Sequence, residues 1–382
     1  MLRSLRRGLV AVTVFSVAVA SASAGPASAA DPSSLQMGPA VGTTALLSPE
    51  VARKVKGNDP AVRERALNEY WTPERMRNAR SPEMVLPDGV NPVTSLRAAG
   101  TGIDRSQEPV VIPPAAPTVA PPAEVATTEV NDVVTPNAIE PDPPGNVGFD
   151  TFRPYFPTGH KVAKTMGKVF FTMGAKERVC SAGVVSSPGK SLVWTAGHCV
   201  HGGGSNGTWA YNWLFVPNYK LNASGDPVAP YGGWPAAALF ADSNWVDHKQ
   251  LHSDVGVAIL DRRGGQLIQE KVGAQGITFS LPYYPTVSAF GYPAEAPFDG
   301  DALWQANGPS ADAGASIIYM RNLMNGGSSG GYWLTNFNGE SGQVHGHNSF
   351  TMAEYPGHMF SPYYGRSTND FYNRVKDYQP AS

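Results

Sequence analysis

From about residue 145 onward the hydrophobic positions of this chain fall in short runs, cut apart by Gly, Pro, Asn and Ser. Val169-Phe170-Phe171-Thr172-Met173, Ala182-Gly183-Val184-Val185-Ser186, Leu192-Val193-Trp194-Thr195 and Val255-Gly256-Val257-Ala258-Ile259-Leu260 are such runs. Runs this short, bounded by turn formers, predict many strands in a sandwich or barrel. The end of the chain departs from the pattern. Phe371, Tyr372, Val375 and Tyr378 follow a capping Ser367 or Thr368 at helical spacing, which predicts a C-terminal amphipathic helix packed on a β-body.

The first third reads differently. Residues 1–29 combine a basic start (Arg3, Arg6, Arg7), an apolar stretch over 8–20 and the small-residue pattern Ala27-Ser28-Ala29. Together these form a secretory signal, too short for a membrane span. Arg6-Arg7 leaves the choice between general and twin-arginine export open. Residues 30–107 read as a pro-region with some helix. Ser48-Pro49-Glu50 and Thr72-Pro73-Glu74 place a cap before a first-turn proline, and 62–71 adds a further turn or two. Residues 108–145 carry about ten prolines among Ala, Val and Thr, a composition that predicts an extended linker. The remaining body is 146–382.

Composition narrows the classes. A net charge of −2 argues against nucleic acid or an anionic membrane as a partner. Only 16% of residues are charged, against 41 Gly and 34 Pro, which suits a turn-rich extracellular β protein. No later stretch reaches the length of a spanning helix, so a secreted, soluble monomer is expected. The two cysteines, Cys180 and Cys199, are expected to pair after export, the alternative being two buried thiols.

Three segments carry candidate chemistry. In Thr195-Ala196-Gly197-His198-Cys199, a neutral imidazole is a natural general base for a hydroxyl near pH 7, and the cysteine could pin its loop. In His252-Ser253-Asp254-Val255, a carboxylate enters an apolar strand, which is costly unless a partner accepts its charge. A catalytic histidine Nδ1–H is such a partner. Asp247 and Asp261 are rivals with a weaker apolar context. In Asn325-Gly326-Gly327-Ser328-Ser329-Gly330-Gly331, glycines permit close backbone approach, and the Gly327 and Ser329 amides could form an oxyanion hole.

In this order, the three segments resemble the chymotrypsin/trypsin superfamily of serine peptidases over residues 146–382. Ser329-Gly330-Gly331 matches its nucleophile motif, and Asn348-Ser349-Phe350 is similar to its substrate-binding strand. Phe290-Gly291-Tyr292-Pro293, with the later Trp304, resembles the secreted V8-type (glutamyl endopeptidase-like) bacterial branch. The resemblance implies an all-β fold of two antiparallel six-stranded β-barrels with a C-terminal helix. It implies a secreted endopeptidase acting on proteins or peptides through His198, Asp254 and Ser329, with no cofactor and no metal.

Departures from the pattern sharpen the expectations. Ser328 stands where the trypsin type has an Asp that pairs with a freed N-terminus, so activation by another route is expected. The pro-region, including Tyr70-Trp71-Thr72-Pro73, is a candidate inhibitor covering the site. Leu323 falls at the floor position of the specificity pocket, which disfavours cleavage after Lys or Arg. V8-type enzymes hold a Glu substrate with a histidine where Asn348 stands here. His347, one residue earlier, belongs to the opposite strand face, and a one-residue slip would reverse that. His345 and His347 lack an evident third ligand for a metal. Two other classes remain: an inactive protease-fold binding module, and an esterase with Gly327-x-Ser329-x-Gly331 as its elbow, for which the chain order is wrong.

Overall fold

The computed structural model describes residues 40–57, 59–82, 84–86, 107–119, 150–152, 160–281 and 285–380. The segment 1–29 expected to be a secretory signal, most of the 108–145 stretch and residues 146–149 lie outside these. The apolar runs become strands. Met166–Met173, Lys176–Val184, Leu192–Thr195 and Gly256–Leu260 overlap the four runs read from the sequence, and Tyr211–Pro217 and Trp234–Asp242 join them. All pair antiparallel, and contacts of Trp234–Asp242 with both Gly256–Leu260 and Tyr211–Pro217 close a six-stranded barrel. Its interior is filled by Val169, Phe171, Val193, Trp213, Phe215, Leu239 and Leu260, each essentially inaccessible to solvent.

The second half is built from a seven-stranded sheet and a three-stranded one. This second sheet agrees with the expected chymotrypsin-like architecture, and its pairings among the described residues are mixed. Gly276–Phe279 pairs in parallel with Gln343–His347, and no pairing joins the sheet's outer strands. The helix Arg366–Val375 buries Phe371, Tyr372 and Val375 as its periodicity predicts, with Phe371 edge-on to Trp194. Tyr378 lies beyond the helix end and is exposed, and Gly365 occupies the cap position assigned to Ser367 or Thr368.

The described segments of the N-terminal third belong to this body. Ser48, Asp59 and Thr72 cap the helices Pro49–Ala52, Pro60–Tyr70 and Pro73–Asn78, each opening on a proline. Strand Ala40–Thr44 adds to the barrel along Trp234–Asp242. Trp71 is buried and donates its indole N–H to Asn212 O at 2.8 Å. Arg63 pairs with Asp261 at 2.8 Å and Glu64 with Arg263 at 2.9 Å. Residues 107–119, read as the start of a linker, also carry a strand: Val110–Ile112 pairs antiparallel with Gly276–Phe279. Its valines and isoleucine serve as edge-strand residues despite the neighbouring prolines.

Cys180 and Cys199 form a disulfide closing a loop of 19 residues. A loop of that size contributes about 3 kcal/mol on the chain-entropy account. Replacing both cysteines by Ala should therefore lower the unfolding free energy in urea by about 3 kcal/mol, and with it the midpoint, with an unchanged barrel spectrum. A midpoint within experimental error of wild type would contradict this.

Candidate active site

Each candidate residue arrives on a different piece of backbone. Leu192–Thr195 ends in a tight turn, Gly197–Cys199, that carries His198. Gly197 is required in that turn, because a β-carbon there would meet the Trp245 ring and Asp254 Oδ1. The short turn Leu251–Ser253 delivers Asp254 at the mouth of Gly256–Leu260, which pairs with Leu192–Thr195. The two residues meet where these neighbouring strands begin and end.

Asp254 is fully buried, and its two oxygens divide the work. Oδ1 accepts from the backbone N–H of His198 at 2.7 Å. Oδ2 faces His198 Nδ1 at 2.8 Å and accepts from the Ser349 hydroxyl at 2.5 Å. Burial alone would raise this carboxyl's pKa. The opposing charge and hydrogen bond of His198, with smaller help from His347 and the Ser349 hydroxyl, hold it below the usual carboxylate value. An ionised carboxylate at Nδ1 fixes the tautomer that leaves Nε2 free to accept a proton. Nε2 of His198 is buried and has no hydrogen-bond partner among the described residues.

Ser329 sits on the glycine-rich turn before Tyr332–Thr335 and is 7% exposed. Its carbonyl accepts from Ser181 N at 2.7 Å and lies 3.8 Å from the Cys199 sulfur. The Ser329 turn is thereby docked on the same disulfide that His198 adjoins. Gly330 has φ +81°, and a β-carbon there would strike Thr195 Oγ1 and Ser181 O, so only glycine closes this contact. Gly327 has φ +96°, and its carbonyl accepts from Ser181 Oγ at 2.9 Å. Gly326 O accepts from Ala294 N at 2.6 Å. Since N–H and C=O oppose each other across a trans peptide, the Gly327 N–H points away from Ala294. Among the described residues no backbone carbonyl accepts from the Gly327 or Ser329 amide. Both donors required of an oxyanion hole are thus uncommitted.

Other sequence expectations land elsewhere. Ser328 is buried with its hydroxyl on Asn325 O at 2.7 Å, so no ion pair forms there. Asn348 uses its whole amide inside the fold. It accepts from Trp333 Nε1 (2.8 Å) and Asn322 Nδ2 (3.0 Å), and donates to Phe290 O and Ser328 O (3.2 Å each). It braces the turn that carries Ser329. Leu323 is 39% exposed and does not line the space beside Ser329. Asp261, a rival for the Asp254 role, is held by Arg63.

Sequence reasoning missed Glu295, whose carboxylate lies over Gly326 where a β-carbon would sit and borders that same space. No local motif marks it, because it comes from a loop some 30 positions before the glycines it covers. Among the described residues the metal-compatible group is Cys180, His198 and Cys199, and the disulfide commits both sulfurs.

His347 is buried, with Nδ1 2.7 Å from the Tyr364 hydroxyl, which also accepts from Trp194 Nε1 at 2.6 Å. His252, His345 and His347 are each pushed down to about 4, chiefly by burial. These folded values lie below the 6.5 of an unperturbed histidine. Between those limits the unfolded chain binds more protons, so stability is intact above pH 6.5 and declines as pH falls towards 4. With all three contributing, the slope approaches about 4 kcal/mol per pH unit. The unfolding temperature should drop steeply across this window, and His345→Phe should flatten the drop by about one proton. A flat profile from pH 6.5 to 4 would refute it.

No protein-family model and no curated protein sequence matches the chain. Solved structures do. A thermostable serine protease, AL20, from an extremophilic microorganism is 35% identical, with a TM-score of 0.51 and 56% of this chain and 97% of that one covered. The protease Anisep from Arthrobacter nicotinovorans is 34% identical, with a TM-score of 0.52 and the same coverage of 56% and 97%. A Glu endopeptidase is 17% identical at a TM-score of 0.47, covering 61% of this chain and 99% of its own. A closed antiparallel first barrel, a second β-sheet unit with a C-terminal helix, and near-complete coverage of two serine proteases at a third identity lead to one conclusion: this chain belongs to the chymotrypsin-like serine peptidases.

Proposed function

We propose that the chain is the precursor of an exported serine endopeptidase that cleaves protein or peptide substrates through His198, Asp254 and Ser329. The observation that carries this reading is the buried Asp254–His198 pair at 2.8 Å, with the imidazole's other nitrogen unpartnered and the Ser329 carbonyl docked on the sulfur of the adjacent Cys199. In the reaction, Ser329 Oγ attacks the scissile carbonyl while His198 Nε2 takes its proton. Asp254 stabilises the imidazolium so formed. The Gly327 and Ser329 amides receive the alkoxide of the tetrahedral intermediate. His198 then returns the proton to the leaving amine, and water repeats the sequence on the acyl-enzyme. No step needs a cofactor. The leading segment 1–29 supports export, and the disulfide agrees with an oxidising destination.

Glutamyl specificity is not supported by the site. His345 and His347 are buried in the core, Asn348 is fully engaged, and the Glu295 carboxylate beside Ser329 would repel an acidic substrate side chain. Profiling the cleavage products of a proteome digest tests activity and preference together. Cuts that vanish with Ser329→Ala and are depleted in adjacent Glu and Asp are expected. A digest identical for wild type and Ser329→Ala would remove the endopeptidase reading.

A further inference from the structure

The pro-region reaches the cleft, at a place other than Tyr70-Trp71-Thr72-Pro73, which lies against the first barrel through Thr172 and Asn212. Arg80 N donates to Glu177 O and Val179 N donates to Arg80 O, both at 3.1 Å. Arg178 clamps Ser81 O at 2.9 Å. Farther on, Thr351 N donates to Met84 O at 3.1 Å and Ala353 N to Leu86 O at 3.2 Å. Between these two ladders, Ser81, Pro82 and Met84 line the space beside Gly326, Ser329 and Ser349, leaving a cavity of about 40 Å³. A cavity that size holds roughly three waters, whereas a ligand site is typically about 300 Å³ or more. Met84 and Leu86 pack on the cluster of Phe350, Met352 and Phe360.

The direction of the segment decides its role. Both ladders are parallel: Arg80 with Arg178, and Val85–Leu86 with Thr351–Met352. Arg178 lies two residues before Cys180, whose disulfide adjoins His198, so that end is the side on which His198 must protonate a leaving amine. By the resemblance, Asn348-Ser349-Phe350 opens the strand that binds substrate backbone, and with the leaving amine on the Arg178 side the acyl side lies along that strand. A cleavable chain therefore runs from 351 towards 178, while this segment runs from 178 towards 351. Any peptide group it presents to Ser329 has its nitrogen on the side away from His198, so an attack could not expel a protonated amine. We propose that residues 80–82 and 84–86 are a built-in inhibitor of the peptidase site, threaded through the substrate cleft in reverse and thereby spared from cleavage. The inference rests on the peptidase reading above. The occupant is held at high effective concentration by residues 40–79, which are packed on the first barrel. Its side chains also mark the acyl-side subsites as apolar.

The test uses the intact full-length chain, with integrity checked by mass. Met84→Asp/Leu86→Asp places two carboxylates against the apolar cluster and should free the cleft. Arg178→Ala, milder for folding, removes only the clamp on Ser81. The rate of an unspecific peptide substrate and of fluorophosphonate labelling at Ser329 should both rise, by about 100-fold in the double variant and several-fold in Arg178→Ala. A synthetic peptide of residues 79–88 should inhibit the double variant and be recovered uncut. Equal rates in uncut wild type and both variants, or prompt cleavage of the peptide within residues 80–86, would overturn the inference. Should the double variant be too unstable to assay, the peptide is tested on Arg178→Ala, where inhibition without cleavage supports the inference and cleavage overturns it. Failure of every form, variants included, to react with the fluorophosphonate would instead defeat the peptidase reading, and this inference with it.

Discussion

Ser329→Ala is expected to lower kcat by about 10⁶ while leaving the fold and substrate binding nearly intact. The size follows from the non-additivity of a triad, in which loss of the nucleophile leaves His198 and Asp254 with nothing to activate. Stability should barely change. The position is 7% exposed, the backbone contacts of Ser329 run through its carbonyl to Ser181 N, and no buried partner of its hydroxyl is orphaned. The comparison belongs in a form freed from the cleft-filling segment, such as Met84→Asp/Leu86→Asp, so that a large rate is available to lose. An unfolding midpoint matching the parent, with activity at background, is the expected pair of results. A fall of only ten-fold would mean that another group attacks the substrate.

Asp254→Asn should cost about 10⁴ in kcat and should also destabilise the fold. The carboxylate is an acceptor at both oxygens, taking the His198 backbone N–H, the His198 ring N–H and the Ser349 hydroxyl. An amide has one accepting oxygen. Whichever way it is turned, its NH₂ faces either the backbone N–H or the ring, and in the second case the imidazole is pushed to the wrong tautomer. One buried donor is then left without an acceptor, a loss of about 1–3 kcal/mol. Asp261→Asn is the control. Asp261 is also buried, but Arg63 holds it at 2.8 Å on the outside of the barrel. That substitution should lower stability with kcat unchanged. Equal kcat losses at both positions would show that Asp254 has no special role.

The parts of the fold that were legible in the sequence are those encoded locally. Short apolar runs between turn formers became the strands of the first barrel because each buries both its faces. Pro after Ser48 and Thr72 marks helix starts, and the same signal at Asp59-Pro60 starts the longest N-terminal helix two residues before the apolar pattern of 62–71. His198 was legible from the cysteine beside it, whose partner is now seen to be Cys180.

Long-range geometry was not legible. Asn348 stands where a substrate-binding residue was expected, but the choice between facing the cleft and bracing the nucleophile turn depends on Trp333, Asn322 and Phe290, which are distant in sequence. Leu323 followed from counting back from Ser329, and the loop between them carries it to the surface instead. Nothing local predicts that Val110–Ile112 would find Gly276–Phe279, since a proline-rich context disfavours but does not forbid an edge strand. Nor does composition reveal which part of a pro-region lies in the cleft. Residues 80–86 have no motif, and their role comes from two parallel ladders formed with distant strands.

The central claim, that Ser329 is a nucleophile activated by His198, is tested most directly by mapping a fluorophosphonate adduct in the cleft-released protein. Mass spectrometry of the digested adduct should find one modified residue, Ser329, with labelling abolished by Ser329→Ala and by prior alkylation of His198 with a peptidyl chloromethyl ketone. An adduct on Ser328 or any other residue, or labelling that persists in Ser329→Ala, would contradict it.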